Sequence, residues 1–78
     1  MAVVIDTHSP IPAHQQIADE LSGRIARDEL RPSHPLPSET HIRGEFAVSR
    51  ATVRRAVATL RDRGLVFTVA QRGTFVSG

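Results

Sequence analysis

Apolar residues recur along this chain with the period of a helix three times and then change to short continuous runs. Between Ala13 and Glu29, Ile17, Ala18, Leu21 and Ile25 fall on one side of a wheel whose other side carries Asp19, Glu20, Arg24 and Arg27. That spacing predicts an amphipathic first helix. The segment Leu30–Pro37 then places three prolines in eight residues, which stops the helix and forces an extended connection, with Leu36 as its core anchor. Ser38 is placed to cap a second helix reaching about Glu45, Glu39 suits the positive end of that helix, and Ile42 and Phe46 form an i, i+4 apolar pair. Phe46-Ala47-Val48 reads as a tight turn.

A third helix over 49–63 has the clearest signals. Ser49 supplies the cap, Val53, Ala56, Val57 and Leu60 form one stripe, and Val48 and Val53 have the spacing of a hydrophobic staple. Arg61 and Arg63 suit the negative helix end, and Gly64 suits the left-handed position that follows it. Beyond it, Leu65–Val69 and Thr74–Val76 are β-branched and aromatic runs separated by Ala70-Gln71-Arg72-Gly73, the pattern of a hairpin. Phe67 and Phe75 are expected in the core of that hairpin. The predicted fold is mainly α with a small β hairpin: a winged helix-turn-helix of three helices followed by a two-stranded wing. Residues 1–11, with Pro10 but no sustained periodicity, read as an N-terminal arm, and 12–78 as the domain.

Composition narrows the function. Without cysteine there is no disulfide framework and no thiolate metal site. No apolar run approaches the ~18 residues of a membrane span, and the N-terminus lacks the basic and apolar regions of a secretory signal, so a cytoplasmic location is expected. His8, His14, His34 and His41 have no metal-ligand spacing, and neither a nucleophile elbow nor a phosphate-binding glycine loop is present. No metal, cofactor or enzymatic activity is expected. The net charge is only +2, and all ten basic side chains are arginine. Their distribution is uneven: residues 1–42 hold three arginines against six acids, whereas 43–78 hold seven against two. The C-terminal half is the half expected to face an anion.

Two short helices joined by a turn, the second opening Ser49-Arg50-Ala51-Thr52-Val53-Arg54-Arg55, match the helix-turn-helix plan, in which the first two turns of the second helix touch DNA. At about 100° per residue, Arg50, Arg54 and Arg61 lie within roughly 40° of one another beside the apolar stripe. Ser49 and Thr52, with the free N–H groups of the helix start, suit a phosphate, while Arg50 and Arg54 suit guanine O6 and N7. Arg72 at the hairpin tip is placed for the adjacent minor groove. A winged helix that uses the same surface to bind a protein is the alternative reading. The Arg50 and Arg54 pair argues against it.

These motifs resemble the N-terminal domain of GntR-type regulators along nearly the whole chain. The resemblance rests on Gln16-Ile17-Ala18 with Leu21, on Leu36-Pro37-Ser38-Glu39, on Val48-Ser49-Arg50-Ala51-Thr52-Val53-Arg54, on Gly64-Leu65-Val66 after Leu60, and on Arg72-Gly73-Thr74-Phe75-Val76. It implies a double-stranded operator as partner, with Arg50, Thr52 and Arg54 in the major groove, residues near Thr40, Ser38 among them, on the backbone, and the wing tip Gln71-Arg72-Gly73 in the minor groove. It also implies an effector-binding, dimerising domain after the hairpin, hence a homodimeric regulator on a palindromic site, with the isolated domain monomeric. Three positions depart from the family pattern. Thr40 stands where arginine is usual, Ala51 where threonine is frequent, and Gln71 where glycine precedes the Arg-Gly pair. Ala51 would favour a thymine methyl. Gln71 would be strained if its position requires a positive φ.

Overall fold

The structure is a computed structural model and describes residues 5, 6 and 8–77. The rest of the N-terminal arm, and Gly78, lie outside the described residues. Three helices, α1 (Ala13–Ala26), α2 (Glu39–Phe46) and α3 (Arg50–Asp62), precede strands β1 (Val66–Val69) and β2 (Gly73–Val76), so the architecture is the expected winged helix-turn-helix. The helices contribute Ile17, Ala18, Leu21, Ile42, Phe46, Val53, Ala56 and Leu60 to one core, closed by Leu36, Val66 and Val76. Leu36 is 8% exposed, so the proline-rich connection does anchor itself there. Val57, expected within the α3 stripe, is only half-buried.

Two helix ends are set by the same device, one foreseen and one not. After α3, Gly64 (φ 75°) donates to Arg61 O and Leu65 donates to Leu60 O at 3.0 Å each. This is a Schellman closure on glycine. After α1, Asp28 takes φ 64° and donates to Ile25 O, while Glu29 donates to Arg24 O at 2.8 Å. The first helix therefore ends at Ala26, three residues before the expected Glu29, because an aspartate fills the left-handed position usually held by glycine.

The wing pairs Val66 with Val76, Phe67 with Phe75, Thr68 with Thr74 and Val69 with Gly73. On one face Val66 and Val76 enter the core, and Thr68 and Thr74 share a 3.1 Å hydroxyl contact. On the other face Phe67 and Phe75 stack with ring centroids 5.8 Å apart. Phe67 is 44% exposed and Phe75 half-buried, which corrects their assignment to the core: strand alternation sends Val66 and Val76 inward and both rings outward. The free edge of β2 is also paired. Ser33 N donates to Val76 O, Val76 N to His34 O and Leu36 N to Thr74 O at 2.8–2.9 Å, with a bridge between Pro35 and Phe75. The extended segment thus ties the wing to the start of α2.

Gln16 holds the described part of the arm against α1. Its amide donates to Asp6 O and Ile11 O, its carbonyl accepts from Asp6 N, and Ile5 packs against the core.

Candidate nucleic-acid interface

The second and third helices begin in the same way. Ser38 Oγ accepts from His41 N at 3.1 Å, and Ser49 Oγ accepts from Thr52 N at 3.3 Å while lying 3.0 Å from Thr52 Oγ1. Both serines therefore cap, and the helix starts are held in place. Between the helices, Ala47 takes φ 55°, ψ 49°, the left-handed turn that redirects the chain, and Val48 packs against the core in the staple position.

Arg54 and Arg61 of the arginine row on α3 face a groove of about 590 Å³. Arg54, Val57 and Arg61 form one wall, Arg72, Gly73 and Thr74 of the wing form another, and Pro35–Glu39 close the end at α2. Three positively charged side chains converge on an open channel bounded by a helix and a hairpin. Arg61 and Arg72 are exposed and make no ion pair among the described residues. Arg50 and Arg54 differ from them. Glu39 Oε1 lies 2.7 Å from Arg50 Nε, and Glu39 Oε2 lies 3.4 Å from Arg54 Nε, so one carboxylate bridges both arginines.

The structure thus brings Ser38, Arg54, Arg72 and Gly73 to one groove, with Arg50 joined to it through Glu39. Ser49 and Thr52 lie together at the start of α3, and Thr40 is exposed in the first turn of α2. Ala51 and Arg55 are exposed on the side of α3 away from the core, outside the groove lining. At the wing tip, Arg72 N donates to Val69 O at 3.0 Å, closing a turn in which Gln71 has φ 65°. The third position of such a turn favours glycine, so Gln71 does occupy a strained position.

Not every arginine belongs to this surface. Arg24 pairs with Glu45 and, at 3.3 Å, with Glu20, and its guanidinium lies 5.7 Å from the Phe46 ring centroid. Burial there disfavours its charge, but the hydrogen bond and charge of Glu45 outweigh this and raise its pKa above the ordinary value. Arg63, from the basic half of the sequence, reaches Asp19 at 3.0 Å and Ser22 at 3.1 Å, tying α3 to α1. Reading charge by halves missed both Arg63 and Glu39. The spacing of 15 between Glu39 and Arg54 carries no periodic signal. Only the crossing of α2 and α3 joins them.

The profile described as bacterial regulatory proteins, gntR family, matches residues 13–76. The chain belongs to this family. It is a winged helix DNA-binding domain of GntR type, as the residues that carried the resemblance implied. It is 45% identical over 73 residues to the HTH-type transcriptional repressor NagR of Bacillus subtilis, covering 94% of this chain and 30% of that protein. It is 42% identical over 65 residues to the mannosyl-D-glycerate transport/metabolism system repressor MngR of Escherichia coli, covering 83% of this chain and 27% of that protein. The chain thus spans less than a third of the length of these relatives. Among solved structures, the AraR DNA-binding domain in complex with operator ORX1 superposes with a TM-score of 0.87 at 31% identity, covering 97% of this chain and 96% of that one. The same domain with operator ORE1 gives 0.87 at 29% identity, covering 99% and 100%. No helix among the described residues is long and apolar enough to cross a membrane.

Proposed function

We propose that this chain reads a double-stranded DNA operator for a cytoplasmic bacterial repressor, by binding alone and without catalysing a reaction. α3 enters the major groove by its N-terminus, Arg50 and Arg54 meet base edges, and the wing tip enters the adjacent minor groove through Arg72. The observation that carries this reading is the groove between α3 and the wing. A DNA strand passing from major to minor groove must cross the gap between the elements that occupy them, and this gap is lined by Arg54, Arg61 and Arg72. A phosphate crossing there meets Arg61, between the arginine that enters the major groove and the one that enters the minor groove. The likeness to AraR domains solved in complex with operators supports duplex DNA as the partner.

Three kinds of contact follow from that orientation. Ser38, Thr40, Ser49, Arg55 and Arg61 serve the backbone, Arg50, Ala51, Thr52 and Arg54 enter the major groove, and Gln71, Arg72 and Gly73 form the minor-groove contact. By itself the domain is a monomer, because among the described residues the exposed large apolar side chains, Ile11, Phe67 and Val69, are too few for the ~800 Å² per partner of a stable interface. A longer regulator carrying it dimerises through another domain and recognises a palindrome, since two-fold protein symmetry imposes two-fold operator symmetry. Selection from a random duplex pool tests the central reading. Enrichment of a short defined half-site is expected, and recovery of an unbiased pool would contradict it. Sedimentation at micromolar concentration tests the monomer, which a tight dimer overturns.

A further inference from the structure

We propose that Glu39 sets the specificity of the interface by holding Arg50 and Arg54 in place and withholding part of their charge from random DNA. This rests on the reading that the two arginines face bases. Glu39 occupies the first position of α2 behind the Ser38 cap and is less exposed than either arginine, at 35% against 61% and 66%. Its two oxygens lie nearest one Nε each, and among the described residues the terminal guanidinium nitrogens of Arg50 and Arg54 make no hydrogen bond within the protein. Those nitrogens remain available to a guanine edge while the carboxylate still holds each stem. A single negative charge beside two positive ones leaves the trio with one net charge instead of two.

The consequences differ between the two kinds of DNA. Random duplex attracts the domain through phosphates alone, so a carboxylate in this position offsets roughly one phosphate contact and lowers the salt dependence by about one unit. A cognate site adds directional bonds from arginine to base edges, which gain from side chains already oriented. Glu39 therefore lowers random binding and raises cognate binding, the two halves of a specificity ratio. Ion pairs to exposed arginines each contribute little to folding stability, so replacing Glu39 and losing its two pairs is expected to leave the fold intact.

The test measures affinity of the chain for a duplex selected by the unaltered protein and for a shuffled duplex of the same composition, across a salt series, with Glu39→Gln and Glu39→Asp. Glu39→Gln keeps the size and removes the charge. It is expected to tighten shuffled-duplex binding, steepen its salt dependence by about one unit and reduce the preference ratio by about tenfold. Glu39→Asp keeps the charge but is one methylene short of bridging both arginines. It is expected to leave shuffled binding weak while still losing preference. Thermal unfolding of both variants verifies the fold. Unchanged or weaker shuffled binding by Glu39→Gln, an unchanged ratio, or full preference in Glu39→Asp overturns the proposal while leaving base reading in place. Absence of preference in the unaltered chain overturns both.

Discussion

The arginines at the start of α3 and the arginine at the wing tip carry the same charge in opposite surroundings. Arg50 and Arg54 stand on a capped helix and share the carboxylate of Glu39, so their stems are held from two elements. Arg72 stands on a turn strained at Gln71, exposed and without an ion pair among the described residues. A planar, forked donor reads a base only if it arrives oriented, whereas attraction to a narrow groove needs only a charge nearby. The difference teaches that position relative to a second element, more than residue type, separates an arginine suited to sequence from one suited to charge.

Removing both held arginines should produce the largest effect. Arg50→Ala with Arg54→Ala is expected to abolish most preference between selected and shuffled duplexes, on the order of 100-fold, since each good arginine–guanine pair contributes about 1–3 kcal/mol of discrimination. Competition binding measures it, and a double variant with intact preference would erase the distinction between helix and wing. A smaller, uniform effect is expected of Arg72→Ala and Arg61→Ala. Each should weaken all sequences alike and reduce the salt slope by about one unit in a titration over ionic strength. Base-dependent loss at either position would make the free arginines readers too. The smallest effect is expected of Gln71→Gly. Relief of the left-handed backbone contributes about 1 kcal/mol and the added freedom of glycine in the unfolded chain costs about 0.5–1 kcal/mol, so stability should hardly change. Affinity should be equal or higher in the same binding assay. A large loss would show that the Gln71 side chain makes a contact of its own.

What the sequence disclosed follows the same division between local and tertiary causes. The boundaries of α3 were legible because Ser49 and Gly64 act within one turn of the residues they cap, and the register of the core was legible from Ile17, Leu21, Val53 and Leu60 at helical spacing. The end of α1 was misplaced because Asp28 performs a role that composition assigns to glycine. Phe67 was misplaced because a two-stranded wing has one face with nothing to cover it, and hydrophobicity alone does not say which face a strand residue takes. The pairing of residues 33–36 with β2 was hidden by Pro35, which argues against a strand yet leaves the neighbouring His34 O and Leu36 N free to bond. Of the candidate interface, the arginine row was visible from the wheel. The groove and the Glu39 bridge were not, since both exist only once α2, α3 and the wing have packed.

The most direct test replaces each arginine by lysine, which keeps the charge and removes the planar fork. Competition between selected and shuffled duplexes is measured for Arg50→Lys, Arg54→Lys and Arg72→Lys at one fixed salt concentration. Arg50→Lys, Arg54→Lys or both should lose preference about tenfold or more while overall affinity falls less, and Arg72→Lys should keep the preference of the unaltered chain. Full preference in both Arg50→Lys and Arg54→Lys would contradict the account, placing sequence reading in Ala51, Thr52 or the shape of the DNA.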